Sequence, residues 1–201
     1  MLYLLSNKWR GVNLKNEITV KLNCSIDEFI KFLNEKGFVF IKKFILDDTY
    51  FIHKDINISN MSIRDIIKET IILRSVTTKT CVENEFLYKQ KEFDSKGNII
   101  KQDKIECKII NIDEGINFLK IIGFQKLMNI KEYDSVYKKD NLGIAIKEID
   151  GGDILIEIEE NEEFNTIEKL KQKITELDLP IDKSNFFVKK AEIELKKILG
   201  D

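Results

Sequence analysis

The sequence predicts an α+β protein of around eight antiparallel strands and about five helices. Three patterns carry that expectation: segments where apolar and ionisable residues alternate with a period of two, tight-turn signals between them, and a strand–helix–strand unit that occurs twice. In chain order, "EITVKL" at 17 to 22 sets Glu17, Thr19 and Lys21 on one face and Ile18, Val20 and Leu22 on the other. "DEFIKFLNEKGF" at 27 to 38 reads as a helix with acidic residues in its first turn and a glycine at its stop; Ser25 and Glu28 fit a capping box. Strands follow at "FVFIKKF" and "TIILRSV", with a helix over 61–68 between them. Residues 82–93 and 98–110 form a hairpin around "SKGN", its second arm containing "KIECKI" at 104 to 109. "DEGINFLKIIGF" at 113 to 124 then repeats the first helix, matching seven of twelve residues without a gap. The turns "KKDN" and "DGGD" divide strands at 125–137, 142–149 and "ILIEIE", 154 to 159. Helices over 163–176 and 184–199 complete the chain, the last with an apolar stripe of Phe187, Val188, Ala191, Leu195 and Ile198.

A chain of 201 residues suits one domain of two similar halves, about 15–100 and 101–180, with an arm at 1–14 and a C-terminal helix at 184–199. With 43% hydrophobic and 34% charged residues the composition is globular, not disordered. A formal charge of −2 argues against general nucleic-acid binding. The longest N-terminal apolar run, "LYLL" at 2 to 5, is too short for a signal peptide or a membrane span, so a cytoplasmic protein without a membrane partner is expected. Cys24, Cys81 and Cys107 show no CxxC spacing and suggest neither a disulfide framework nor a zinc site. His53 is the single histidine, and a structural role for it sets aside Ser–His–Asp and Cys–His chemistry.

The charged faces of the strands are the functional signal. Glu157 and Glu159 lie about 7 Å apart along one face, given the rise per residue of a strand. Other strands carry Arg74, Lys89 with Lys91, Lys104 with Glu106 and Lys108, and Lys147 in the same alternation. In an open sheet these faces meet water; in a closed barrel they line an interior, where burial demands partners. Periodicity is compatible with both. The barrel would set Glu17, Glu106, Glu157 and Glu159 against Lys21, Arg74, Lys89, Lys91, Lys104, Lys108 and Lys147. Such a lining suits a polyanion carrying a divalent metal.

These residues resemble a degenerate set of motifs of the CYTH superfamily, the triphosphate tunnel metalloenzymes. "EITVKL" resembles the ExExK signature, and "DDTYF", "ILRSV", "FLYK", "KIECKI" and "ILIEIE" follow in the family's order. "SNFFVKKAE" at 184 to 192 resembles its serine-aromatic C-terminal helix, so the likeness runs from 17 to about 195. The resemblance implies an eight-stranded antiparallel closed β-barrel, the triphosphate tunnel, built from two pseudo-symmetric halves with helices packed outside. It implies a metal-dependent phosphohydrolase acting on inorganic tripolyphosphate, thiamine triphosphate or a nucleotide, or an activity like that of class IV adenylyl cyclases. Glu17, Glu157 and Glu159 would hold Mg or Mn, with Glu106 a further carboxylate. Lys21, Arg74, Lys89 and Lys104 would grip phosphate, with Lys91, Lys108 and Lys147 as additional cations. The pattern departs from the family at Thr19, where the middle glutamate belongs, at Val76, where a second arginine belongs, and at Tyr133 and Asp134, where a basic pair belongs. Lys147 stands where an aspartate is expected. A non-catalytic binder of polyphosphate or nucleotide is the competing reading, and an open-sheet interaction module the third. For the arm 1–14, with Trp9 and Arg10, plugging a tunnel end and mediating homodimer contacts are both open.

Overall fold

The computed structural model describes residues 17–93, 99–159 and 161–200, with side chains described for all of these except 90–93 and 99–103. The arm 1–14 and the Lys91 side chain therefore lie outside the described residues. The first half contains β1 (Glu17–Lys21), α1 (Ile26–Glu35), β2 (Val39–His53), α2 (Ile63–Lys68), β3 (Thr70–Thr77) and β4 (Val82–Phe93). The second contains β5 (Ile99–Ile109), α3 (Ile112–Ile121), β6 (Phe124–Lys139), β7 (Leu142–Ile149), β8 (Ile154–Glu159), α4 (Ile167–Leu177) and α5 (Lys190–Leu199). None of the described helices is long and apolar enough to cross a membrane.

The repeated unit begins and ends in the same way in both copies. The Glu28 side chain accepts from the Ser25 amide at 2.9 Å while the Glu28 amide donates to the Ser25 hydroxyl at 3.3 Å, closing the capping box of α1. Asn111 caps α3 at the equivalent place, accepting from the Asp113 and Glu114 amides. Gly37 and Gly123 stop the two helices at φ 84° and 92°, a region that other residues enter only with strain.

All eight strands form one antiparallel sheet in the order β1-β8-β7-β6-β2-β3-β4-β5. Exchanging the halves, β1 for β5 and so on through β4 for β8, turns this order into its own reverse, the mark of a pseudo-two-fold axis. Leu46 lies opposite Glu132, and their spacing along the chain equals that between Asp27 and Asp113 of the repeat. The axis therefore passes through this pair, and it makes Asp48 and Asp134 equivalents.

Alternation gives the sheet one apolar and one charged face. Ile18, Val20, Ile144, Ile146, Ile156 and Ile158 bury under Phe29 and Leu33 of α1 and Leu170 and Ile174 of α4. On the same face Phe51 and Leu73 pack against Leu119 of α3. Burying each such side chain contributes about 1.5–3 kcal/mol. The expectation that every helix packs there needs correction. One end of the charged face is itself apolar, with Tyr50, Ile72, Leu87, Met128, Ile149 and Leu155, and α2 and α5 cover it through Ile66 and Leu195.

Two further expectations are corrected at β1. The Thr19 amide donates to the Phe186 carbonyl at 3.1 Å, and the Val188 amide donates to the Thr19 carbonyl at 2.9 Å. Residues 184–189 are therefore non-helical, and the helix begins at Lys190. Satisfying the edge groups of β1 outweighs extending a helix by one more turn. With that edge occupied, β1 and β5 remain the two ends of the sheet, which hydrogen bonds among the described residues do not close into a barrel.

Candidate functional site

Partners in an antiparallel ladder share a face, so the register locates the expected site residues. Thr19 lies opposite Glu157, Glu17 opposite Glu159, and Lys21 opposite Leu155, which in turn faces Lys147. Lys147 faces Asp134. In the other half Asp48 faces Arg74, Arg74 faces Glu85, and Glu85 faces Lys108. Leu87 lies opposite Glu106 and Lys89 opposite Lys104. Glu17, Lys21, Arg74, Lys89, Lys104, Glu106, Lys108, Lys147, Glu157 and Glu159 thus share the charged face.

Most of these cations already face carboxylates. Arg74 donates to both Asp48 oxygens at 2.7 Å, from Nε and Nη2. Lys147 sits 3.3 Å from Asp134, 3.4 Å from Glu157 and 3.6 Å from Glu132. Lys190, at the start of α5, lies 2.8 Å from Glu132 and 4.0 Å from Asp48, joining the two halves of the network. Asp48–Arg74 and Asp134–Lys147 are the same pair seen twice about the pseudo-two-fold. Lys21 pairs with Asp153 at 2.8 Å, Lys108 with Glu83 at 3.2 Å, and Lys104 with Glu106.

The charges perturb one another strongly. Asp48, Glu132 and Asp134 are each 1% exposed. Burial pushes Asp48 upward, but the Arg74 hydrogen bonds and the charges of Arg74, Lys190 and Lys89 hold it below the usual carboxylate range. Burial likewise opposes ionisation of Glu132, which Lys190 and Lys147 overcome, leaving it lowered. At Asp134 burial wins over Lys147, with Glu132 and Glu157 adding to it, and the carboxyl is raised to about 6. The Lys147 ammonium is held protonated: burial disfavours its charge, yet Glu157, Glu132 and Asp134 outweigh burial. Oε1 of Glu132 and Oδ1 of Asp134 are buried without a hydrogen-bond partner, whereas Lys190 lies 2.8 Å from Oε2 of Glu132, so ion pairing carries most of the compensation.

A second group adjoins this network. Glu17, Glu157 and Glu159 each bring a carboxylate oxygen within 4.8 Å of the others. Glu157 is raised by burial and by Glu17, with Lys147 opposing. Three converging carboxylates form the oxygen-only donor set that hard divalent cations take. Glu106 does not join them; it stands on β5 beside Lys104 and raises Glu85 after burial has done so.

Sequence reasoning missed Asp48, Glu132 and Lys190, and read Asp134 merely as a departure. Asp48 shares its parity with Leu46 and Tyr50, so apolar neighbours masked it. Lys190 lay inside a segment whose apolar spacing pointed to a longer helix.

No protein-family model matches the sequence. A Methanocaldococcus jannaschii protein named "Putative adenylate cyclase MJ0240" is 25% identical over 187 residues, covering 89% of this chain and 98% of that protein. The PH1819 protein of Pyrococcus horikoshii superposes with a TM-score of 0.67 at 23% identity, over 90% of this chain and 99% of that one. HpAC1 of Hippeastrum, described as a "putative adenylyl cyclase" that reveals a dominant triphosphatase activity, superposes with a TM-score of 0.59 at 14% identity, over 92% of this chain and 96% of that one. The fold and these named relatives agree with the resemblance to the CYTH superfamily read from the sequence. On the charged face of this chain, carboxylates take the cations that the sequence pattern assigns to phosphate.

Proposed function

We infer that this protein, as its resemblance to the CYTH superfamily implies, binds a triphosphate-containing small molecule on the charged face of its sheet and acts as a metal-dependent phosphohydrolase. The convergence of Glu17, Glu157 and Glu159 within 4.8 Å, next to Lys147, carries this reading. These three carboxylates would hold Mg or Mn, which, when bound, supplies charge neutralisation at a terminal phosphoryl group. Arg74, Lys147, Lys89, Lys21, Lys104 and Lys108 orient phosphate oxygens, and Lys190 adds a cation from α5. The names of the M. jannaschii and Hippeastrum proteins support a nucleotide or triphosphate substrate.

A second reading, a non-catalytic binder of polyphosphate or nucleotide, draws on one observation: Arg74 and Lys147 are already neutralised by Asp48, Glu132 and Asp134. A ligand phosphate must compete with buried carboxylates for both. The two are separated by incubating the protein with tripolyphosphate, thiamine triphosphate and ATP, each with Mg²⁺ and with Mn²⁺, and following phosphate and cyclic AMP release. Phosphate release that disappears in Glu157→Gln/Glu159→Gln supports the hydrolase. Cyclic AMP as the main product replaces it with the cyclase. Saturable binding without any product assigns the protein to the non-catalytic class.

A further inference from the structure

The two edges of the sheet are treated differently. Residues 186–188 pair along β1, whereas β5 has β4 on one side and no strand on the other among the described residues. An uncovered apolar edge invites another strand. Besides Val39, Phe40 and Ile41 on β2 and Ile198 and Leu199 on α5, the exposed large hydrophobics among the described residues, Val82, Ile105, Ile110, Phe118, Ile121 and Ile122, belong to β4, β5, α3 or the residues that follow them. The pseudo-symmetric face of β1 and β8 is covered by α4. Between β4 and β5 the chain has only residues 94–98, which leaves no room for a counterpart of α4.

We propose that β5 is the surface through which two copies of this chain pair, antiparallel, about a two-fold axis at Cys107. Charge complementarity is met here and also with an axis at Ile105; apolar pairing then favours Cys107, because an axis at Ile105 would set Cys107 against Asp103. With Cys107 on the axis, Glu106 faces Lys108 of the second copy on the charged face, and Ile105 faces Ile109 of the second copy on the apolar face; the symmetry makes each contact twice. Moving the axis one residue to Glu106 would oppose Glu106 to itself and Lys104 to Lys108, all like charges. The β5 ladder with β4 is regular from Lys101 to Ile109, so this stretch is straight enough to accept a partner. The paired edge would extend the sheet continuously across both copies and cover the exposed Ile105.

The register places the two Cys107 residues opposite each other, with Cα atoms about 4.5–5.5 Å apart, within reach of a disulfide. Cys107 is free and exposed. The test uses the full chain carrying Cys24→Ser and Cys81→Ser, so that Cys107 is its one thiol. Sedimentation should give twice the chain mass, and mild oxidation should convert this species to a covalent dimer. Ile105→Asp should halve the mass and abolish the cross-link while leaving the circular dichroism spectrum unchanged. A monomer throughout the micromolar range overturns the proposal. So does a monomer that dimerises only after residues 1–16 are deleted, which would make that segment the occupant of β5. A dimer that survives Ile105→Asp and resists cross-linking overturns it as well, since its interface then lies elsewhere.

Discussion

Arg74 holds Asp48 through two parallel hydrogen bonds of 2.7 Å, and Lys147 holds Asp134 at the position related to it by the pseudo-two-fold. Removing one member of such a buried pair leaves the other uncompensated. Asp48→Ala is expected to destabilise the fold by about 3–5 kcal/mol, whereas Asp48→Leu combined with Arg74→Met should cost less than the single change. Urea unfolding of wild type, Asp48→Ala, Asp48→Leu, Arg74→Met and the combined variant checks this. Additive losses would show that the pair is not energetically coupled.

Asp134 should give the stability a distinctive pH dependence. Its folded value, about 6, lies above the unfolded value near 4, so between them the folded state keeps a proton that the unfolded chain has released. Stability from this group is present in full below about pH 4 and falls as the pH rises toward 6. Asp48 and Glu132, both lowered, act in the opposite sense and lose their contributions as the pH falls. In Asp134→Asn the first component disappears. The difference in unfolding free energy between wild type and variant should therefore change across pH 4 to 6 and be flat above it.

The three-carboxylate group should bind metal in proportion to its charge. Glu159→Gln is expected to weaken Mn²⁺ binding at least about tenfold, each lost carboxylate removing a ligand and a charge. Thr19 is buried and lies opposite Glu157, so Thr19→Glu should add a fourth carboxylate and tighten binding. Electron paramagnetic titration of Mn²⁺ reads both. Unchanged affinity in both variants would place the metal elsewhere.

The two helix-stopping glycines predict unequal costs. A Cβ on Gly123 would come 2.7 Å from Nε2 of His53, whereas on Gly37 it would meet only the flexible end of Lys139 at 3.8 Å. Both positions carry the left-handed penalty of roughly 1–2 kcal/mol. Gly123→Ala should therefore cost more than Gly37→Ala in thermal unfolding.

Strand periodicity and the repeat made most of this architecture legible, because the charged face was written residue by residue in β1, β5 and β8. What escaped depends on contacts distant in sequence. Nothing local tells that Phe186 and Val188 will satisfy Thr19, so the apolar spacing of Phe187, Ala191 and Leu195 read as one helix. The closed barrel came from the resemblance alone, periodicity fitting both architectures, and hydrogen bonds among the described residues do not close the sheet. Glu157 and Glu159 were legible from periodicity as a pair facing one way; their grouping with Glu17 came only from the resemblance, since it depends on β1 lying next to β8. Asp48 and Glu132 escaped because buried carboxylates carry no pattern of their own. Only the arrival of Arg74 and Lys190 makes their burial tolerable.

The position of β1 has a consequence for biosynthesis. This strand is made before β2 to β7, yet its neighbours on either side, Ile154–Glu159 and Phe186–Val188, are made after all of them. At about 5–20 residues per second, a ribosome needs on the order of ten seconds to deliver them. During that interval Ile18 and Val20, fully buried in the finished protein, have no sheet to join. Until then β1 lacks both of its hydrogen-bonding neighbours, and a chain released before residue 188 would be unable to seal its outer edge.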